Sequence, residues 1–72
     1  MNWDQIAGNW KQIKGNIRTK WGKLTDDDLE IVAGQRDKLV GLIQERYGLA
    51  KELVEKDLKA WEAELGNNDA TK

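Results

Sequence analysis

The chain has no cysteine and no histidine. That removes any disulfide staple and the commonest ligands of a zinc site. Serine, proline and phenylalanine are missing as well. No run of about 18 apolar residues exists, so no segment reads as a membrane span. The opening stretch MNWDQIAGNW lacks the basic start and apolar core of a signal peptide. Together these absences make a soluble cytoplasmic protein the expectation. At 72 residues the chain allows one small domain of modest stability.

Charge is plentiful by contrast: 35% of residues are ionic, yet the net charge is only −1. The two signs are segregated along the chain. Residues 1–23 set Lys11, Lys14, Arg18, Lys20 and Lys23 against Asp4 alone. Residues 24–37 set Asp26, Asp27, Asp28, Glu30 and Asp37 against Arg36 alone. A mixed-charge surface of this kind differs from the polycation expected of a strong nucleic-acid binder.

Apolar residues fall at Trp3, Ile6, Trp10, Ile13, Ile17, Trp21 and Leu24, three and four apart. This spacing predicts one amphipathic helix over about 4–21, with Gly22 as a left-handed C′ residue. Thr25 followed by Asp28 resembles a capping box at the head of a second, short helix. Leu29, Val32 and Ala33 supply its apolar side, and Gly34 either ends it or is crossed by a continuing helix. Leu39, Val40, Leu42, Ile43 and Tyr47 mark the next helix, closed by Gly48. Leu53, Val54, Leu58, Trp61 and Leu65 mark the last, over about 50–65, stopped by Gly66. Residues 67–72 read as a disordered polar tail.

An internal repeat appears at an offset of 26 residues. Residues 3–22 over 29–48 share five identities, Ala7/Ala33, Gly8/Gly34, Gly15/Gly41, Ile17/Ile43 and Gly22/Gly48, within A-G-x4-[IL]-x-G-x-I-x3-[WY]-G. Two related halves, each leaving an apolar face exposed, should pack on one another. The expected fold is therefore all-α: one four-helix domain over 1–66, built from two related hairpins.

Glycine costs about 1 kcal/mol relative to alanine inside a helix. Gly8, Gly15 and Gly22 nevertheless recur every seven residues, nearly opposite the apolar stripe. Two readings stand open for Gly8, Gly15, Gly34 and Gly41. A crossing helix approaches the backbone there, or the glycines keep the outer face weak.

The stretches GNWKQIKGNI, WGKLTDDDLEIVAGQRDKLVG and IQERYG, with the Lys/Glu-rich helix that follows, resemble the CsbD-like family of small bacterial stress proteins. The resemblance covers residues 4–64. It implies two helical hairpins packed crosswise, similar to SAM-like domains, and a part in the general stress response. It implies no established molecular activity.

Catalysis has few candidates. With no histidine, acid–base work would fall to carboxylates, and these occupy caps and solvent-facing positions. The Asp26–Asp28 run lacks the alternating spacing of a calcium loop and reads as a helix cap. The glycine pattern lacks the order of a phosphate loop. No catalytic residue, metal ligand or cofactor is expected, and the chain reads as a non-enzyme. Lys11, Lys14, Arg18, Lys20 and Lys23, interleaved with Trp10 and Trp21, form the candidate nucleic-acid or anion surface. The bland alternative makes Trp10 core and the cations a solvated flank. A third possibility is a hydrophilin-like protectant, given a mean hydropathy of −0.79. Four tryptophans and regular apolar stripes favour a folded domain over a disordered chain. The sequence names no partner, with nucleic acid and protein as the candidates, and the chain reads as a monomer or weak oligomer.

Overall fold

The computed structural model describes residues 2–70, with side chains described for residues 2–65. Within them lie five helices, α1 (Trp3–Gly8), α2 (Trp10–Lys20), α3 (Asp26–Val32), α4 (Arg36–Tyr47) and α5 (Lys51–Ala70), and no strand. The all-α expectation holds. The count is five and not four because the helix expected over 4–21 breaks at Asn9.

Asn9 adopts φ −114°, ψ 31°, outside helical geometry, and serves as both the C-cap of α1 and the N-cap of α2. Its side-chain Nδ2 donates to the Gln5 carbonyl at 3.1 Å. An asparagine amide that competes for backbone partners is a known source of helix interruption. The hydrogen-bond ladder nearly survives the break: Asn9 N–H reaches Gln5 O at 3.1 Å, and Ile13 N–H reaches Asn9 O at 3.0 Å. Gln35, the N-cap of α4, lies 26 residues beyond Asn9. The breaks inside the two halves thus fall at matching positions.

Two capping boxes start α1 and α3. Asn2 Oδ1 accepts from Gln5 N–H at 3.0 Å, and Gln5 Oε1 accepts from Asn2 N–H at 3.3 Å. Thr25 and Asp28 exchange the same bonds, at 3.1 and 3.2 Å, as the sequence predicts. α3 ends at Val32, so Gly34 is not crossed by a helix. Ala33 is left-handed at φ 51°, and Gly34 follows at φ +81°. Gly48 caps α4 at φ +65°, as expected. Gly22 does not take the left-handed role expected of it. Among the described residues, only Gly34 and Gly48 of the glycines have positive φ, and α2 closes on Trp21. α5 also runs on through Gly66, where a stop was expected. The end of the expected tail, residues 71–72, lies outside the described residues.

One apolar core collects side chains from every helix. It joins Ile6, Ile13, Ile17, Leu29, Val32, Leu39, Val40, Ile43, Val54, Leu58 and Trp61, with Trp21 and Leu24 from the α2–α3 connection. Nearly all were legible from spacing. Leu53 is the exception at 52% exposed, because the buried stripe of α5 runs through Val54, Leu58 and Trp61 and leaves Leu53 on its flank. Ala33 is exposed too. Among the described residues the buried set contains no polar or charged side chain.

Tryptophan indoles tie the helices together. Trp3 Nε1 donates to Gly34 O at 2.7 Å, and Trp10 Nε1 donates to Leu29 O at 2.9 Å. The first ties α1 to the turn after α3, and the second ties α2 to α3 itself. Trp61 Nε1 donates to Asn16 Oδ1 at 3.0 Å, which fastens α5 to α2. Trp21 meets Trp61 edge-on at 5.7 Å between ring centroids, a favoured aromatic geometry.

Candidate basic surface and its acidic partners

The five cations singled out in the sequence lie on α2 and the turn after it, but the fold does not leave them together as an open patch. Lys14 is the least exposed, its side chain 18% accessible. Its Nζ bonds the Glu30 carboxylate and lies 3.4 Å from Asp26 Oδ1. Arg18 reaches the same Asp26 oxygen at 4.0 Å. The acidic run that follows the basic segment in sequence therefore folds back against it. Lys20 Nζ sits 5.5 Å from the ring centroid of its neighbour Trp21. Lys23 Nζ sits 5.0 Å from the centroid of Tyr47, within cation–π range. The Lys23 backbone N–H also donates to Tyr47 Oη at 3.1 Å. Lys11 is exposed on α2.

The interleaved aromatics are likewise engaged. Trp21 is buried in the core, with no face to offer a base. Trp10 is half-buried against the core, and its indole N–H is taken by Leu29 O. Stacking on a nucleic-acid strand needs an open ring face, and α2 supplies its rings to the fold instead.

Three groups are moved from their ordinary pKa. Lys14 is raised, first by its hydrogen bond to Glu30 and then by Asp26, with partial desolvation working the other way. Asp28 is lowered, first by the Thr25 backbone N–H of the capping box and next by Arg46. Arg46 is raised, first by its bond to Asp28 at 3.0 Å. Every one of these shifts deepens the charged state the group already has near neutral pH. A group that shuttles protons needs the reverse, a pKa drawn toward the working pH.

The acidic run Asp26–Asp28 disperses to separate partners. Asp26 faces Lys14 and Arg18, and Asp28 closes the capping box and holds Arg46. No cluster of three or more metal-ligating side chains occurs among the described residues, and none of the described helices is long and apolar enough to cross a membrane.

The glycine question resolves position by position. A Cβ built at Gly8, Gly15 or Gly41 would meet nothing within 4 Å. At Gly34 it would lie 3.2 Å from Ala7 Cβ, on a backbone already at φ +81°. The close approach is real at Gly34 alone, where the end of α3 meets α1. Nothing packs against the other three.

The sequence reading did not single out a polar cleft between α4 and α5 that carries both signs of charge. It is bordered by Arg36, Asp37, Lys51 and Glu55. Lys51 and Glu55, four residues apart at 3.9 Å, look in sequence like any solvated helix pair. Only the packing of α5 on α4 brings them opposite Arg36 and Asp37.

Comparison with known proteins places the chain clearly. Residues 4–56 match the family model described as CsbD-like. A UPF0337 protein of Pectobacterium atrosepticum is 63% identical over 62 residues, covering 86% of this chain and 90% of its own length. The UPF0337 protein YjbJ of Escherichia coli is 58% identical over 62 residues, with the same coverage. A UPF0337 protein of Rhodopseudomonas palustris is 59% identical over 61 residues, covering 85% of this chain and 92% of its own.

Proposed function

The chain belongs to the CsbD-like family, and from that premise we propose that it is a general stress-response protein of the bacterial cytoplasm. It acts as a small non-catalytic module, protective or interaction-mediating. The observation that supports the non-catalytic part is the engagement of Lys14, Asp28 and Arg46 in ion pairs and a helix cap. Lys14, Asp28 and Arg46 are all held more firmly charged by surface partners. Such groups stabilise a fold and do not transfer protons near neutral pH. The hydrophilin-like character rests on dense mixed charge and a mean hydropathy of −0.79.

In this reading residues 1–66 work as one unit of two related halves. The halves pack crosswise in the manner of SAM-like domains. The matching helix breaks at Asn9 and Gln35 support the duplication. A strain lacking the chain is expected to lose viability after hyperosmotic or stationary-phase challenge and to regain it on complementation. Unchanged survival under both challenges would refute the stress role.

Anion binding by Lys11, Lys14, Arg18, Lys20 and Lys23 is the runner-up. It requires Lys14 and Arg18 to exchange Asp26 and Glu30 for phosphates. Titration with DNA at two salt concentrations separates it from the first reading, since phosphate contacts give steeply salt-dependent affinity.

A further inference from the structure

Gly41 is unexplained by the fold. It lies inside α4, where glycine is disfavoured. Its backbone is not in a left-handed conformation, and a Cβ there would touch nothing within 4 Å. Neither a turn nor a close approach requires it. It does, however, line the cleft between α4 and α5, beside the buried Val40. A side chain at this position would project into that space.

The cleft has a volume of about 320 Å³, at the small end of the roughly 300–1,000 Å³ typical of small-molecule sites. Its border is polar and of mixed sign. Arg36 and Lys51 are the cations, and Asp37 and Glu55 the anions. Gln44 adds an amide that can donate and accept. Arg36, Gln44 and Glu55 are each half-buried, which limits their freedom and holds a cation, an amide and a carboxylate around the glycine. Two cations and two anions cancel, so the site favours neither a net anion nor a net cation. A ligand that carries both charges on a short frame satisfies both pairs at once.

We propose that the α4–α5 cleft lined by Gly41 binds a small zwitterion, its carboxylate toward Arg36 and Lys51 and its cationic nitrogen toward Asp37 and Glu55. The repeat supplies an internal control. Gly15 is the counterpart of Gly41 in the first half and is equally open, and it lies on α2, away from the α4–α5 cleft.

The test is titration of the full chain with L-alanine, followed by backbone amide NMR. Saturable shifts are expected at residues 36–44 and 51–55, with a Kd on the order of 1 mM for so small a ligand. Gly41→Ala should stay folded and weaken binding about tenfold or more by putting a methyl group into the cleft. Gly15→Ala should bind as the wild type does. Glu55→Gln should weaken L-alanine binding while leaving any response to acetate unchanged. The proposal is overturned if L-alanine gives no saturable shift in the wild type, or if Gly41→Ala binds as well as Gly15→Ala does. It is equally overturned if acetate or methylammonium alone reproduces the shifts at the same concentration.

Discussion

Two glycines of the periodic set, one in each half, obey different rules. Gly15 sits in the interior of α2 with open space around it, so Gly15→Ala should stabilise the chain by up to about 1 kcal/mol. Gly34→Ala should destabilise it, since φ is +81° and Ala7 already lies within contact distance of the added carbon. Urea unfolding of the two variants beside the wild type reads both signs. Sequence spacing showed that these glycines are periodic but could not sort them. Open space and close approach depend on what another helix brings to the position. Gly22 shows the same limit. A glycine after a helical stretch suggests a left-handed cap, yet Leu24 N–H bonds back to Trp21 O and α2 closes without that conformation.

At the scale of the element, α3 depends on its first turn. Thr25→Ala removes the side-chain acceptor for Asp28 N–H and should cost about 1 kcal/mol. Asp28 gives this cap a pH dependence. Its folded pKa is lowered by Thr25 N–H and Arg46, so its contribution is fully present above the unfolded carboxylate range. The contribution fades as pH falls below about 4, through the folded value. Thermal melts from pH 6 to pH 2 should show a smaller acid-induced loss in Asp28→Asn than in the wild type, and an identical loss would contradict the assignment. The capping box was legible because T-D-D-D is a local signal. The break at Asn9 was not, because Ile6, Trp10 and Ile13 keep helical spacing across it and the hydrogen-bond ladder scarcely lapses. Likewise Leu53 keeps the spacing of its stripe but falls on the flank of α5, since the axis of burial is set by α4 and not by α5 itself.

Over the whole molecule, the core is small and every part of it is shared. Seventy-two residues carry roughly 4–11 kcal/mol of stability at typical values. Leu58 is fully buried, and Leu58→Ala should cost about 2–5 kcal/mol. That loss is a large share of the total, and it should appear as a thermal midpoint lowered by roughly 10 °C or more in circular dichroism melts. The charge segregation in the sequence is also a whole-molecule property. The basic first segment and the acidic second one looked like a candidate binding surface and a separate cap. In the fold they meet, as Asp26 and Glu30 on α3 take up Lys14 and Arg18 on α2. Pairing across two helices cannot be read from either helix alone. The central claim is that the cations of α2 serve the fold and not a phosphate backbone. The most direct test is titration of labelled single- and double-stranded DNA at low salt, with the wild type beside the Asp26→Asn/Glu30→Gln double variant. The account predicts no binding by the wild type and salt-sensitive binding once Lys14 and Arg18 are released. Binding by the wild type itself, falling with salt at a slope of roughly −0.9 per phosphate contact and abolished by Lys14→Ala with Arg18→Ala, would contradict it.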